Sequence, residues 1–276
     1  MKKLTIILFP VLLMLLATGC QKTKRPALGD FPEDANPPGG PLKFFAAFDG
    51  TTDNASRNAV DSTRANFPLD NPLASIDGVN GKGIQGTGAN GIKYATANDF
   101  KNSTSCAISM WVNNTVNPNT ELYFSLADKD YWHQSGAFLL VENAAADKCT
   151  FKFALQDHWV EYTNQSFTKP LFDGQWHHLA FSYDETTSKL SIYFDGAEVA
   201  TPGTSGNFTS SSGGPLGALD ITHGTNLILG GWNKHAGVDG PTDDWIKAFS
   251  GKMDQFRLYG KALSASEVQA LYNSRL

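Results

Sequence analysis

Residues 175–184 and 190–196 show a regular alternation of side chains that predicts two paired strands. Every second residue falls on one face of an extended chain, and this face consists of His177, Leu179, Phe181, Tyr183, Leu190, Ile192 and Phe194. A period of two is typical of β-strands with one buried face. The polar residues 184–189 suit a connecting turn, and Asp195-Gly196 tolerates positive φ at the next turn. A hairpin this apolar needs a second sheet packed against it.

Short segments of the same kind recur along the chain at a spacing typical of β-sandwiches. Further strands are predicted at residues 42–48, 103–113, 122–126, 137–142, 149–155, 158–162, 227–230 and 249–259. The glycine-rich residues 49–91 and 201–219 are predicted to be irregular. Ser264 with Glu267 matches a capping box, and Leu263 with Val268 a hydrophobic staple, so a short helix should follow. The pattern predicts an all-β chain with one short C-terminal helix.

Three blocks of this pattern resemble a known family. They are Trp-His-His-Leu-Ala at residues 176–180 with the strand that follows, residues 249–259, and residues 108–112. Their order and content are similar to bacterial laminin-G-like, concanavalin A-like lectin/glucanase domains. The resemblance implies an antiparallel two-sheet β-sandwich of the jelly-roll type over residues 42–276.

The amino terminus resembles a bacterial lipoprotein signal. Two lysines precede an apolar run at residues 4–17, which is shorter than a typical membrane span. Small residues directly before Cys20 are similar to a lipobox, although Ala17 stands where that pattern prefers leucine. We expect a signal peptide at residues 1–19, a lipidated Cys20 and a flexible tether at residues 20–41. The alternative is an ordinary secretory signal.

This interpretation places the protein outside the cytoplasm. With a lipid on Cys20, we expect it in the cell envelope, anchored to the outer membrane, with the membrane face left open. The lipid would be its contact with the membrane.

The charge balance argues against nucleic acid as a partner. The chain has 22 basic and 27 acidic residues, and removal of residues 1–19 takes away two lysines and changes the formal charge from −5 to −7. No basic stripe is present in the sequence, whereas nucleic-acid binding depends on clustered lysine and arginine.

Two cysteines remain in the exported domain. Cys106 alternates with Ile108 and Met110, and Cys149 with Phe151 and Phe153, so both fall on predicted core faces. Oxidising conditions permit a disulfide if their strands are neighbours in register. Two buried free thiols are the equal alternative.

The sequence offers little for catalysis. Glucanases of this general fold resemble one another in an E-x-D-x-x-E strand motif, and the chain lacks it. A retaining pair needs carboxyl groups ~5 Å apart, which distant segments can also supply. No Gly-x-Ser-x-Gly elbow is present. Adjacent His177 and His178 should point to opposite faces of a strand, one packed under the sheet and one outward, which disfavours a shared metal ion. We therefore expect no enzyme activity.

Aromatic residues beside polar ones in predicted loops or strand ends are the stronger functional signal. Sugar rings present an apolar C–H face that packs on aromatic rings, and hydroxyl groups that need polar partners. The predicted ligand-binding residues are Tyr131, Trp132, His133, His158, Trp159, Trp232, Asn233, His235 and Trp245. The alternative is that these tryptophans cover the core as lids. Trp111 and Trp176 lie inside predicted strands and are interpreted as packing residues.

Calcium is a further expectation from the family resemblance, since many laminin-G-like domains bind it through loop aspartates. Candidate pairs are Asp128 with Asp130, and Asp49 with Asp254, whose strands could be neighbours. Carboxylate oxygens are suitable ligands for this hard cation. A solvated acidic loop is the alternative.

Together these observations predict non-catalytic binding of a glycan by an envelope-anchored lipoprotein. A protein-interaction module is one alternative, and a flat apolar patch would favour it. A glycosidase with dispersed carboxylates is another, and two carboxyl groups facing each other across an aromatic-lined cleft would favour that.

Overall fold

The computed structural model describes residues 40–49, 58–60, 65–66, 71–129, 135–240 and 242–275. The predicted signal peptide, Cys20 and nearly all of the predicted tether lie outside these ranges. So do four candidate site residues, namely Asp130, Tyr131, Trp132 and His133.

Within the described ranges the chain forms two β-sheets. The larger has ten strands: β1 (Leu42–Ala46), β2 (Asn58–Ala59), β3 (Ala65–Asn66), β4 (Ala74–Asp77), β5 (Lys82–Gln85), β7 (Cys106–Thr115), β12 (Asp173–Asp184), β13 (Lys189–Phe194), β14 (Ala197–Val199) and β17 (Lys252–Tyr259). The smaller has seven: β6 (Ile92–Tyr94), β8 (Thr120–Ala127), β9 (Ala137–Ala145), β10 (Lys148–Leu155), β11 (His158–Phe167), β15 (Asn226–Leu229) and β16 (Ile246–Ala248). Paired strands run antiparallel, apart from β16, which runs parallel to β8.

The predicted hairpin is formed by β12 and β13. Leu179 lies opposite Phe194, and Phe181 lies opposite Ile192, so the apolar residues of both strands share one face. Asp195 and Gly196 have φ values of 50° and 79°, which the tight turn into β14 requires. The alternation and the turn residues thus specify this element locally.

The core lies between the two sheets and draws on both. Phe153 of β10 stacks on Phe181 of β12 with ring centroids 4.0 Å apart. Phe124 of β8 meets Phe256 of β17 edge to face at 5.3 Å. Burial of these large apolar surfaces is the main force that holds the sheets together. The predicted antiparallel two-sheet sandwich is confirmed.

A C-terminal helix, α1 (Ala265–Ser274), covers the outer face of the larger sheet. Ser264 caps it and Glu267 completes the capping box, as predicted. Val268 is fully buried against Ala180 and Tyr193. In the described part of the chain, no helix is both long and apolar enough to cross a lipid bilayer.

Several short strands were not predicted. β2, β3, β4 and β5 lie in the stretch 49–91 that was expected to be irregular, and β16 was also missed. Strands of two to four residues are too short to display an alternation. They are recognisable only through their pairing with longer strands such as β17.

The structure distinguishes the two alternatives for the cysteines. Cys106 and Cys149 are buried free thiols, and they lie on strands of different sheets, β7 and β10. Their strands are therefore not neighbours in register, and the disulfide is not formed. Burial raises the pKa of each thiol to about 12, so both act as small apolar core residues.

Candidate functional site

The outer face of the seven-stranded sheet carries an apolar cluster separate from the core. Side chains from β8, β9 and β10 form its base, and the segment between β15 and β16 covers part of it. Its buried members are Leu122, Phe138, Leu140, Ala154, Trp232 and Ile246, with Trp159 packed against them. Two of the predicted aromatic segments, at Trp159 and Trp232, meet on this face, and a third ends at Trp245, directly before Ile246.

Trp232 and His235 are structural, contrary to the prediction that they contact a ligand. Trp232 is fully buried in the cluster, and the His235 ring meets it edge to face with centroids 5.9 Å apart. Burial lowers the pKa of His235 to about 4, and the nearby Lys234 and Lys247 act in the same direction. For Trp232, the alternative that it covers the core as a lid is right, because the segment between β15 and β16 folds back onto the sheet.

Asn233 is also a structural residue. It is fully buried, and its Nδ2 donates hydrogen bonds to the carbonyl oxygens of Asp128 at 2.8 Å and Asp239 at 2.9 Å. It thereby connects the end of β8 to the segment that covers the sheet. Its prediction as a ligand contact is wrong, since both amide hydrogens are already used.

His158 is held inside the fold as well. Its Nδ1 lies 2.8 Å from the carbonyl oxygen of Gln156, and its Nε2 lies 2.7 Å from that of Thr209. The ring also stacks on Phe208 with centroids 4.5 Å apart. Both nitrogens face protein acceptors, so the imidazole positions the chain and is not free to contact a ligand.

Trp159 and Trp245 keep accessible indole surface. Trp159 is half-buried and meets Phe138 edge to face at 5.0 Å. Trp245 is 52% exposed and directly precedes Ile246, a member of the same cluster. Within the described ranges, Val116 is the one other large apolar residue with such exposure. These two indoles are the predicted aromatic residues that fit a ligand platform.

A row of charged side chains lies beside Trp159 on the same outer face. Lys152 of β10 places its Nζ 2.7 Å from Oε2 of Glu142 on β9 and 3.9 Å from Oε1 of Glu161 on β11. We call these three residues the Lys152 triad. This triad was not predicted, although the outward positions of its three residues on strands could have suggested it. It brings two carboxylates and an ammonium next to an aromatic ring.

His177 and His178 point to opposite faces, as predicted, but neither is exposed. The ring nitrogens of His177 lie 2.8 Å from Asp195 and 3.0 Å from Asp173. Nε2 of His178 lies 2.8 Å from Oγ of Ser109. The expectation of an outward-facing histidine is wrong because α1 covers that side of the sheet. A fully buried serine–histidine pair has no access to a substrate.

Asp49 and Asp254 lie near each other, as the calcium prediction requires. Oδ2 of Asp254 accepts hydrogen bonds from the N–H groups of Val79 at 2.9 Å and Asn80 at 3.4 Å. Oδ1 of Asp49 accepts one from the N–H of Lys82 at 2.6 Å. Burial raises the pKa of Asp254 to about 7, and the neighbouring Asp49 carboxylate also raises it. Two carboxylates are thus held on one glycine-containing turn.

The residues around this pair fit a hard cation. Oδ1 of Asp254 is buried and has no hydrogen-bond partner in the described part of the protein. A Cβ on Gly78 would clash with Asp254 Oδ2, and one on Gly81 would clash with Asp49 Oδ1, so both positions need glycine. Among the described residues no group of three His, Cys, Asp or Glu could hold a metal ion. Backbone carbonyls or water would have to complete the ligand set.

The other calcium candidate is only partly visible. Asp128 lies at the end of β8, and its N–H donates to Oγ of Ser135 at 3.4 Å. Its proposed partner Asp130 lies outside the described residues.

Two clefts of about 420 and 430 Å³ lie on the other side of the molecule and share Lys189. Their polar groups already bind one another. Lys189 lies 3.1 Å from Glu198, Ser191 donates to Glu198, and Glu267 accepts from Ser264. Tyr193, the aromatic residue in the first cleft, is 4% exposed and offers no ring face. We therefore place the candidate site on the seven-stranded sheet.

The family follows from a direct comparison of the sequence with family models. A model described as the concanavalin A-like lectin/glucanases superfamily matches residues 86–269. That range is more than half of the chain, and the chain belongs to this superfamily. A search of curated proteins found no match.

Solved structures show the same fold at low sequence identity. Domain 4 of AbnA, a GH43 extracellular arabinanase from Geobacillus stearothermophilus solved with arabinotriose, is 19% identical with a TM-score of 0.53, covering 84% of this chain and 98% of that one. The binding domain of Paraclostridial Mosquitocidal Protein 1 is 14% identical with a TM-score of 0.54, covering 85% and 52%. The sialidase of Trypanosoma rangeli is 15% identical with a TM-score of 0.51, covering 85% and 33%.

Proposed function

We propose that the protein binds a carbohydrate, without cleaving it, on the outer face of its seven-stranded sheet. The observation that carries the proposal is that Trp159 packs against the outer apolar cluster and keeps accessible indole surface, with the Lys152 triad beside it. A second exposed indole, Trp245, directly precedes Ile246 of that cluster. Sugar C–H faces would pack on the indoles, and sugar hydroxyls would bond to carboxylate and ammonium groups. A similar domain solved with arabinotriose supports the choice of ligand class.

Hydrolysis is the second candidate function, because Glu142 and Glu161 approach the same ammonium nitrogen. Two carboxylates near each other are the minimum machinery of a glycosidase. Against this, Lys152 lies between them and pairs with both, so it occupies the space where a glycosidic bond would have to lie. Binding without cleavage is therefore the function that we favour.

Calcium at Asp49 and Asp254 is part of the proposal. The ion would bind their carboxylates, including the unpartnered Oδ1 of Asp254, and would stabilise the glycine turn at residues 78–81. It would serve the fold, since the carbohydrate-binding residues lie on the other sheet. A rise in melting temperature on calcium addition, lost in Asp254→Asn, is the expected result.

We also propose that Cys20 is lipidated and anchors the protein in the cell envelope. The lipobox-like sequence before Cys20 supports this. Wild-type protein should incorporate a labelled fatty acid and sediment with membranes, whereas Cys20→Ala should do neither. Labelling of Cys20→Ala equal to wild type would contradict the anchor.

The carbohydrate proposal is tested by screening the purified protein on immobilised polysaccharides while reducing ends are assayed. We expect retention on at least one polysaccharide with no release of reducing ends. Trp245→Ala and Trp159→Ala should each weaken this binding at least about tenfold, which corresponds to about 1.4 kcal/mol.

Val116→Ala is the matched control for Trp245→Ala, because Val116 is about equally exposed but lies just after β7 and is not a member of the apolar cluster. It should leave binding unchanged. Absence of retention on every polysaccharide would refute the proposed function. Reducing ends that disappear in Glu161→Gln would establish hydrolysis instead.

A further inference from the structure

We infer that the carbohydrate-binding face selects neutral, hydroxyl-rich glycans and disfavours glycans that carry carboxylate or sulfate groups. The inference rests on the proposed function and adds the class of ligand to it. It follows from where the cations of the described residues lie and which groups they already bind.

The cation beside Trp159 is committed to protein carboxylates. Lys152 lies 2.7 Å from Glu142, and Glu161 approaches it from the other side at 3.9 Å. With one ammonium and two carboxylates, the Lys152 triad has a net charge of −1. A neutral sugar can donate its hydroxyls to these carboxylates, whereas an anionic group placed there would be repelled.

The lysines near Trp245 also bind protein groups, Lys234 a carboxylate and Lys247 a backbone carbonyl. Nζ of Lys234 lies 2.6 Å from Oδ1 of Asp244 and donates to the carbonyl oxygen of Asp243 at 3.2 Å. Nζ of Lys247 donates to the carbonyl oxygen of Asp244 at 2.7 Å. Both ammonium groups therefore hold the segment that carries Trp245, and two aspartates directly precede the indole.

Arginine, the side chain best suited to bidentate recognition of carboxylate and sulfate, lies elsewhere. Of the described residues, Arg257 and Arg275 are the arginines: Arg257 lies on β17 of the larger sheet, and Arg275 caps the C-terminal end of α1, which packs on that sheet. Arg257 packs over the ring of Phe45 at 4.1 Å, and Arg275 over that of Trp111 at 5.7 Å.

Lys148 is the nearest remaining cation on β10, and it also points outward. It lies four residues from Lys152, about 13 Å along an extended strand. That separation exceeds the Debye length of about 8 Å at physiological ionic strength. Its attraction for an anionic sugar at Trp159 is therefore largely screened.

The test compares a uronic-acid polysaccharide with the same polymer after chemical reduction of its carboxyl groups, next to a panel of neutral polysaccharides. Affinity electrophoresis with the purified protein measures retardation at low and high salt. We expect at least tenfold weaker binding to each acidic polymer than to its reduced form. Binding of neutral polymers should change little with salt.

A double variant probes the origin of the selectivity. Glu142→Gln with Glu161→Gln leaves the Lys152 ammonium uncompensated and should bring acidic polymers to within a few-fold of neutral ones. Glu198→Gln, which removes one partner of the Lys189 pair on the other sheet, is the matched control and should change nothing.

The outcomes separate this inference from the proposed function. Equal or tighter binding of acidic polymers would overturn the inference and leave carbohydrate binding standing. Failure to bind any polymer, neutral or acidic, would overturn both. Unchanged selectivity in the double variant would show that the Lys152 triad is not its source and would overturn the inference.

Discussion

Nζ of Lys152 lies 2.7 Å from Oε2 of Glu142, and the side chains are 21% and 16% exposed. An ion pair with so little access to water depends on both partners, because removal of one leaves a poorly hydrated charge. We expect Lys152→Met to lower the free energy of unfolding by about 1–3 kcal/mol, measured by urea denaturation.

Lys189→Met is the matched comparison for that substitution. Lys189 and Glu198 form an ion pair at 3.1 Å with 51% and 45% exposure. Exposed pairs contribute about 0–1 kcal/mol, so this variant should be nearly neutral. Equal decreases in the free energy of unfolding in the two variants would show that the partly buried Lys152 pair contributes no more to stability than the exposed Lys189 pair.

His177 makes the stability depend on pH. Burial lowers its pKa, but hydrogen bonds from the His177 ring to the carboxylates of Asp195 and Asp173 outweigh burial and raise the pKa above its usual value. A raised pKa in the folded state contributes stability that is complete below the unfolded value of about 6.5 and is lost as pH rises through the folded value. The melting temperature should therefore fall on the alkaline side of pH 6.5.

Substitution of this histidine provides the check. His177→Asn should remove that part of the pH dependence. The wild-type profile should persist in Glu198→Gln, because Glu198 binds Lys189 and Ser191 and not His177. Melting curves from pH 6 to 9 measure both. An alkaline decline of the same size in His177→Asn would exclude His177 as its cause.

Asp254 should destabilise the folded state when its carboxyl group is ionised and no calcium is bound. Burial raises its pKa in the folded state to about 7, above the usual value of 3.8 for an aspartate. The folded state thus binds more protons between these values, and stability conferred by the proton is lost as pH rises through this range. At pH 8 without calcium, Asp254→Asn should raise the free energy of unfolding by about 1–4 kcal/mol.

Calcium should reverse the order of stability of the wild type and Asp254→Asn. It should stabilise the wild type at pH 8 and leave Asp254→Asn unchanged. Differential scanning calorimetry with calcium and with a chelator measures this. Equal stabilisation of both proteins would place the ion elsewhere.

Asn233 connects β8 to the segment that carries Trp245. In Asn233→Asp, a carboxylate oxygen would replace the amide nitrogen that faces the carbonyls of Asp128 and Asp239. Loss of two donors in a buried site should cost about 2–4 kcal/mol and weaken glycan retention. Denaturation and affinity electrophoresis test this. Wild-type stability would contradict the assignment of Nδ2 as the donor.

The fold could be predicted from the sequence where the local pattern of apolar residues matches the side chains that are buried in the structure. Residues 175–196 alternate because one face of the hairpin is buried, so β12 and β13 could be predicted from them. The short strands between residues 58 and 85 depend on long-range pairing with β1 and β17 and have no local pattern of their own. The same holds for β16, which pairs with the start of β8.

The candidate site was harder to predict from the sequence than the fold, because similar local sequences lie in different structural environments. Trp232 and Trp245 both stand beside polar residues, yet the first is fully buried and the second is 52% exposed. Which indole faces water depends on how the segment between β15 and β16 folds back over the sheet. The members of the Lys152 triad lie on three different strands. The pairing register of β9, β10 and β11 brings them together, and this register cannot be read from the sequence.

Hydrogen–deuterium exchange with and without the best-retained glycan tests the location of the site most directly. The account predicts protection at residues 137–162 and 242–248, which carry the Lys152 triad, Trp159 and Trp245, with no change at residues 182–201 around Lys189. Protection confined to residues 182–201 would contradict it and place the ligand on the larger sheet.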